Sequence, residues 1–250
     1  MSEASRSIVL ICEGPADYRT VPAVVDRVLS ESVDWMAPEV LDSFREWRGL
    51  KRHEPFLAWK NVHNLARDAN IRINGFFQGE QGAHDAFAAR RALALLKVTG
   101  DDPIDAVILV RDSDNDRKER ARGLAQASAE VSTLGPIVIG VAHTKRECWV
   151  LAGFTPLSQE EKVQLAALKQ ELGFDPCTQA EELTAQEDGA KRDAKRVLSL
   201  LTGASVEREM TCLKESALPL LEKSGQHTGL EAFIQEVRAK LVPLWTGRPA

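Results

Sequence analysis

The stretch Ser-Ile-Val-Leu-Ile-Cys at 7–12, followed by Glu13-Gly14-Pro15, decides the fold of this 250-residue chain. Its continuous run of apolar, β-branched residues is typical of a strand that is buried on both faces of a sheet. After the Glu-Gly-Pro turn, apolar residues recur with helical spacing over 21–29. We expect Pro22 near the first turn of that helix, where a missing N–H costs least. Strand, turn and helix predict the opening of a parallel α/β unit.

Two further apolar runs, at 106–110 and 136–142, predict more buried strands downstream. Helical periodicity predicts the following helices: 86–98, 117 to about 131, one that opens at Trp149, 158–172, 190–202 and 229–241. No strand is expected after Leu157. The predicted organisation is therefore an α/β domain over 1–155, with an insertion at about 31–100, and a helical region over 156–250.

Several classes of protein are excluded by what the sequence lacks. Its four cysteines form no Cys-x-x-Cys pair, which excludes a zinc ribbon, and no Gly-Lys dipeptide is present, which excludes a P-loop. No run of 18 apolar residues occurs, so neither a transmembrane helix nor a membrane partner is expected. The N-terminal segment does not have the pattern of a secretory signal, and we expect a cytoplasmic protein.

The net charge of −5 argues against a nucleic-acid partner only while the chain is treated as uniform. Between Arg45 and Lys97 there are ten Lys and Arg residues against five Asp and Glu residues. From Leu151 onward there are twelve against fifteen. The 45–97 segment therefore offers a basic route for a phosphate backbone.

Carboxylates follow two of the predicted strands directly. Glu13 follows the first strand, and Asp112 and Asp114 follow the second. Because parallel strands end at the same edge of a sheet, we expect these three side chains to converge there. Their mutual repulsion would favour a hard divalent cation, Mg²⁺ or Mn²⁺, with oxygen ligands. The alternative for Asp112 and for Asp116 is that they cap the following helix, which is the interpretation we favour for Asp116.

The two acidic segments, Ile-Val-Leu-Ile-Cys-Glu-Gly-Pro-Ala-Asp at 8–17 and Leu-Val-Arg-Asp-Ser-Asp-Asn-Asp at 109–116, together resemble the TOPRIM domain. In that family a Glu-Gly turn follows the first strand and Asp-x-Asp follows a later one. The chain is most similar to the overcoming-lysogenization-defect (OLD) nucleases, as a stand-alone TOPRIM-like protein without their ATPase domain. The resemblance covers 7–30 and 105–150. It implies a small parallel, Rossmann-like sheet flanked by helices.

The resemblance also implies a reaction, metal-dependent cleavage of DNA phosphodiester bonds in phage defence or DNA repair, with DNA favoured over RNA. Asp112 and Asp114 would hold one Mg²⁺ or Mn²⁺, and Glu13 with Asp17 a second or shared ion. Glu13 could instead act as the general base.

The same resemblance extends to the segment after the third strand. Lys145 or Arg146 would neutralise charge on the phosphate, and Glu147 is a further candidate ligand. The alternative for residues 145–147 is an ordinary solvated helix start. Any dependence on ATP would require a separate ATPase chain, and the sequence leaves oligomerisation open.

Two other functions stay open. The first is a TOPRIM-like module without catalysis that binds nucleic acid or a partner ATPase. The second is a metal-dependent phosphatase or phosphotransferase that uses Asp112 and Asp114 on another doubly wound fold. We favour the second least, because the Asp-x-Asp of that class should follow the first strand.

Three further features carry weaker functional hypotheses. The Gly-rich segment 79–85 could bind a phosphate beside His84, although a plain loop before a helix is favoured. Trp47 and Trp59 could stack on bases, although core packing is favoured. His143 ends the third strand and is a minor candidate.

Overall fold

A computed structural model describes residues 5–99 and 103–247, and it contains seven strands and twelve α-helices in those two ranges. The strands are β1 Arg6–Cys12, β2 Arg45–Arg48, β3 Leu57–Ala58, β4 Phe76–Phe77, β5 Glu80–Gln81, β6 Ala106–Asp112 and β7 Ile137–Ala142. The first helices are α1 Pro15–Ser32, α2 Leu41–Phe44, α3 Trp59–Asp68, α4 Ala86–Thr99, α5 Arg117–Ala129 and α6 Arg146–Leu151. The last are α7 Gln159–Leu172, α8 Ala194–Thr202, α9 Val206–Lys214, α10 Leu218–Ser224, α11 Leu230–Lys240 and α12 Pro243–Thr246.

A parallel sheet in the order β2-β1-β6-β7 forms the centre of the molecule, and β3 also pairs with β1. In the register of the sheet, Ile8 lies beside Ala106, and Val107 lies beside Ile137. The predicted α/β fold with a small parallel sheet flanked by helices is confirmed. Because the strands are parallel and in this register, the ends of β1, β6 and β7 lie at one edge, which we call the carboxyl edge.

The two faces of the sheet are covered by different helices, as alternation along each strand requires. Residues such as Leu10 and Ile108 belong to the first face, which packs against α1, α6 and the helices after Leu157. Residues such as Val9 and Leu109 belong to the second face, which packs against α3, α4 and α5. Side chains at the carboxyl edge therefore divide between the two faces according to their position in the strand.

The predicted helical region over 156–250 contributes to the same core as the sheet. Helix α11 packs against β7, and α9 packs against α1. Trp149 of α6 stacks on Phe233 of α11 with 5.0 Å between ring centroids. Within the described residues no strand occurs after Leu157, in agreement with the sequence.

Some predicted details are wrong. Pro22 lies inside α1 and not in its first turn, because the helix already begins at Pro15. The helix tolerates the proline ring because Val21, Val24 and the other buried residues of the helix pack onto the sheet. Helix α6 begins at Arg146, three residues before the predicted start at Trp149.

Three helices after Leu157, α9, α10 and α12, were not predicted. No described helix has both the length and the apolar character that crossing a bilayer requires.

Candidate functional site

Asp112 and Asp17 form the centre of an acidic group at the carboxyl edge. Asp112 is the last residue of β6 and is partly buried, and its Oδ1 accepts a 2.8 Å hydrogen bond from the backbone N–H of Arg146. Asp17 lies in the first turn of α1 and is only 5% exposed. Its Oδ2 accepts a 3.0 Å hydrogen bond from the N–H of Gly14, which precedes the helix. Two helix starts therefore hold the two carboxylates.

Burial and like charge raise the pKa values of both groups. Burial raises the pKa of Asp112 to about 8, with further contributions from the charges of Asp17, Glu147 and Glu13 against the hydrogen bond from Arg146. The pKa of Asp17 rises to about 6, mainly through burial, although the N–H of Gly14 and the charge of Arg146 oppose the rise. The four carboxylates thus repel one another, and protonation or a bound cation would relieve that repulsion. We call Glu13, Asp17, Asp112 and Glu147 the acidic group.

Arg146 supplies positive charge next to the acidic group. Its guanidinium is buried and donates to Glu147 at 3.2 Å and to Glu209 at 2.9 Å. A third hydrogen bond, of 3.2 Å, reaches the hydroxyl of Thr20 in α1. Because two carboxylates share this guanidinium, Glu147 is only partly compensated.

Glu13 and Asp114 belong to a separate chain of ion pairs. Arg111 donates to Oε1 of Glu13 at 2.6 Å and to Oδ1 of Asp85 at 2.7 Å. Arg120 donates to Oδ2 of Asp85 at 2.8 Å and to Oδ2 of Asp114 at 2.9 Å. We call Glu13, Arg111, Asp85, Arg120 and Asp114 the ionic chain. Glu13 therefore belongs both to the acidic group and to the ionic chain.

The predicted pair of Asp112 and Asp114 is not brought together on one partner. Asp112 is oriented by the backbone at the start of α6, whereas Asp114 follows the strand at φ 44° and binds Arg120 of α5. The turn after β6 therefore directs the two carboxylates to different helices.

Lys145 forms an ion pair with an aspartate of the helical region. It is the residue before α6, and its Nζ lies 3.7 Å from Oδ1 of Asp193. The Asp193 carboxylate accepts hydrogen bonds from the N–H groups of Gly189 and Lys195 as well. Burial would raise the pKa of Asp193, but these hydrogen bonds and Lys145 hold it below its ordinary value. Lys145 thus connects the carboxyl edge to the start of α8.

The donor chemistry of the acidic group fits Mg²⁺ or Mn²⁺, which prefer carboxylate oxygens. The arrangement is not that of an assembled metal centre. Over 5–99 and 103–247, no three His, Cys, Asp or Glu side chains are placed to hold an ion together. Binding would therefore require Glu13 to turn from Arg111, or Asp114 to turn from Arg120.

Sequence reasoning missed three members of this region, Asp85, Arg111 and Arg120. A signal existed for Arg111, because it lies one residue before Asp112 and alternation places it on the same face as Val9, Ile11 and Glu13. No comparable signal linked Asp85 with Arg120, since α4 and β6 separate them in the chain.

The Gly-rich segment 79–85 leads into α4, and it is not the plain loop that the sequence favoured, because part of it pairs with β4. It contains strand β5 and ends at Asp85, which immediately precedes α4 at φ 67°. Trp59 is 5% exposed and donates a 2.7 Å hydrogen bond from Nε1 to the carbonyl of Val110, so it belongs to the core and cannot stack on bases.

His143 contacts the turn that carries the aspartates. Its Nδ1 lies 2.7 Å from Oγ of Ser113, which is fully buried. Burial and the charge of Arg117 lower the pKa of His143, against an opposing contribution from Glu181. His143 is therefore a neutral partner of Ser113 near neutral pH.

A pocket of about 630 Å³ opens beside Glu13. Its walls come from the turn between β1 and α1, from the segment 54–58, and from the first half of α3. Lys60, Asn61 and Asn64 are its polar residues on α3. The pocket and the acidic group therefore meet at Glu13.

Comparison of the chain with protein-family models, with curated proteins and with solved structures gives no match.

Proposed function

We propose that this protein is a nuclease that depends on Mg²⁺ or Mn²⁺ and cleaves DNA phosphodiester bonds through a TOPRIM-type carboxylate site. Its role would be in phage defence or DNA repair. The observation that carries the proposal is the position of Asp112 at the end of β6, where the N–H of Arg146 orients its carboxylate, with the buried Asp17 at the start of α1. Burial first, and then the charges of Asp17 and Glu147, raise the pKa of Asp112 to about 8. A divalent cation is the counter-charge that such a group lacks.

Within this proposal the residues of the chain have distinct roles. Asp17, Asp112 and Glu147 would bind the cation once Glu13, released from Arg111, completes the set, or Glu13 would instead take a proton from the attacking water. Asp114 would join after release from Arg120. Bound there, Mg²⁺ or Mn²⁺ would stabilise the attacking and leaving oxygens of an in-line displacement.

Positive charge for the phosphate comes from the start of α6. Arg146 lies beside the acidic group, and Lys145 would reach a phosphate by leaving Asp193. The basic 45–97 segment supplies the path for the DNA. Lys51, Lys60, Arg72 and Lys97 are exposed, and none of them forms an ion pair with another residue of the described ranges. Such cations attract a phosphate backbone.

A cytoplasmic location is part of the proposal. The four cysteines are buried thiols without disulfides, in keeping with a reducing compartment.

The test is incubation of the purified protein with supercoiled plasmid and with linear DNA, in Mg²⁺, in Mn²⁺ and in EDTA. We expect cleavage with either metal, loss in EDTA, and a drop of at least 100-fold in Asp112→Asn and Glu13→Gln. Asp116→Asn is the matched control, because Asp116 is exposed and lies outside the acidic group. Full activity of both site variants would refute the proposed site.

A second candidate is a binding module without catalysis that contacts nucleic acid or a partner ATPase. The ionic chain favours this candidate, because Glu13 and Asp114 already form ion pairs with arginine side chains and are not free to bind a metal ion. Binding of DNA by the wild type without cleavage in either metal would support this module over the nuclease. Cleavage that appears only when an ATPase chain is added would support the hypothesis that the protein acts with a partner ATPase.

A further inference from the structure

We infer that the pocket beside Glu13 binds one unstacked nucleobase, so that the preferred nucleic acid is single-stranded. The relation of this pocket to cleavage rests on the proposed nuclease function. The inference itself concerns binding and rests on the shape, the polar groups and the charges of the pocket.

The pocket is large enough to admit a base, and its lining suits one. Its volume of about 630 Å³ lies within the range of small-molecule sites. Apolar groups of Pro15, Pro55 and Leu65 line much of it. Phe56 adds an aromatic wall and is fixed from behind by Tyr18, with stacked rings whose centroids are 5.7 Å apart. A flat aromatic base would bury its faces against such walls.

Two amide side chains provide groups for the edge of a base. Asn61 and Asn64 are three residues apart on α3 and therefore lie on the same face of the helix. Both are exposed, and neither side chain has a hydrogen-bond partner among the described residues. Each amide offers two donors and one acceptor, which suits the mixed pattern of a base edge. The pocket thus presents free polar groups above apolar walls.

The charges favour a base over a phosphate inside the pocket. Glu13 and Glu54 both line it, and the carboxylate of Glu54 is held by the backbone N–H of Lys51 at 3.2 Å. Two carboxylates would repel a phosphate group that entered without a metal ion. Lys60 is the exposed cation of the lining and has no ion pair among the described residues, so it can contact the phosphate next to the bound base.

If the pocket binds a base, the preferred ligand is a single strand. In a duplex the edge and the faces of a base are already paired and stacked, and bringing the base into a pocket requires its extrusion. A single strand presents its bases without that cost. With a base in the pocket, the adjoining phosphate lies near Glu13, at the acidic group.

Equilibrium binding in EDTA tests the inference independently of cleavage. The probes are a fluorescein-labelled 12-nucleotide strand of mixed sequence and the corresponding 12-base-pair duplex, measured by fluorescence anisotropy. We expect the single strand to bind at least tenfold more tightly than the duplex. Asn61→Leu and Asn64→Leu should each weaken binding of the single strand about fivefold.

The control is His63→Leu, a polar exposed residue of the same helix that lies outside the pocket, and it should stay within twofold of the wild type. Equal or tighter binding of the duplex, absence of DNA binding, or unchanged affinity in both asparagine variants would overturn the inference. Metal-dependent cleavage of duplex DNA with no preference for a single strand would also overturn it and would leave the proposed nuclease intact. Tight binding of the single strand without cleavage would refute the proposed nuclease function and support the base-binding pocket.

Discussion

Arg111 donates a 2.6 Å hydrogen bond to the carboxylate of Glu13, the residue that joins the acidic group, the ionic chain and the pocket. The guanidinium of Arg111 packs against the ring of Trp59, with 5.0 Å between the guanidinium carbon and the ring centroid. Arg111 also forms an ion pair with Asp85, whose side chain is only 4% exposed. A cation at the acidic group must compete with Arg111 for Glu13, so the strength of the ionic chain bears on metal binding.

Asp85 is the residue on which the ionic chain depends. Asp85→Asn removes the charge between two guanidinium groups whose side chains are 17% and 11% exposed. Because two poorly solvated guanidinium groups would lose the buried carboxylate that they share and keep only the more exposed Glu13 and Asp114, we expect the free energy of unfolding to fall by about 3 kcal/mol. Urea denaturation followed by circular dichroism measures this loss.

The matched control is Asp116→Asn, which alters an exposed aspartate and should change the free energy of unfolding by less than about 0.5 kcal/mol. Equal stability of the Asp85 and Asp116 variants would contradict the role of Asp85.

The central strands could be predicted from the sequence because they are apolar on both faces. Continuous β-branched runs produce β1, β6 and β7, and the acids at the ends of β1 and β6 mark the carboxyl edge. The strands of the 31–100 segment could not be predicted in this way. Strand β2 has the sequence Arg-Glu-Trp-Arg and β3 has only two residues, and both are defined by pairing with β1. Such long-range pairing leaves no periodic pattern in a short segment.

The candidate site could be predicted only in part for a related reason. The positions of Glu13 and Asp112 follow from strand ends, which are local features. The partners of Asp114 and Lys145 are Arg120 and Asp193, and these depend on how separate helices pack. Local sequence does not specify such contacts, because packing between distant elements determines them.

Asp112 is expected to control stabilisation of the protein by Mg²⁺. We expect 10 mM Mg²⁺ to raise the melting temperature of the wild type by several degrees, since binding to the folded state adds about 2.7 kcal/mol at 100 times the dissociation constant. In Asp112→Asn this shift should disappear. Without metal, the variant should melt at or above the wild-type temperature, because the repulsion with Asp17 and Glu147 is gone.

Differential scanning fluorimetry with and without EDTA provides both measurements. Asp116→Asn should respond to Mg²⁺ as the wild type does. A full Mg²⁺ shift in Asp112→Asn would remove Asp112 from the metal site.

His143 is expected to make stability depend on pH. Because burial and Arg117 lower its pKa in the folded state below the ordinary value of 6.5, the unfolded chain binds the proton more readily. The contribution of neutral His143 is therefore complete above about pH 6.5 and is lost as the pH falls through the folded pKa. His143→Asn keeps a polar partner for Ser113 and should remove this contribution, whereas the raised pKa values of Asp17 and Asp112 give a contribution of opposite sign that the variant retains.

Urea denaturation at intervals between pH 7.5 and 5 measures the slope. His63→Asn, at an exposed position of α3, should retain the wild-type slope. A slope in His143→Asn that equals the wild-type slope would rule out a contribution from His143.

Two glycines near the site are expected to respond in opposite ways to alanine. Gly14 follows Glu13 with φ −177°, an extended conformation open to any residue, and a Cβ there has nothing within 4 Å. Gly123 lies in α5, where a Cβ would come within 1.8 Å of the carbonyl oxygen of His84. Gly14→Ala should therefore change the free energy of unfolding by less than about 0.5 kcal/mol. Gly123→Ala should cost about 2 kcal/mol or more, because α5 must move away from the segment that carries Asp85. Thermal and urea denaturation of the two variants compare them directly, and a stable Gly123→Ala protein would show that α5 does not approach residue 84 so closely.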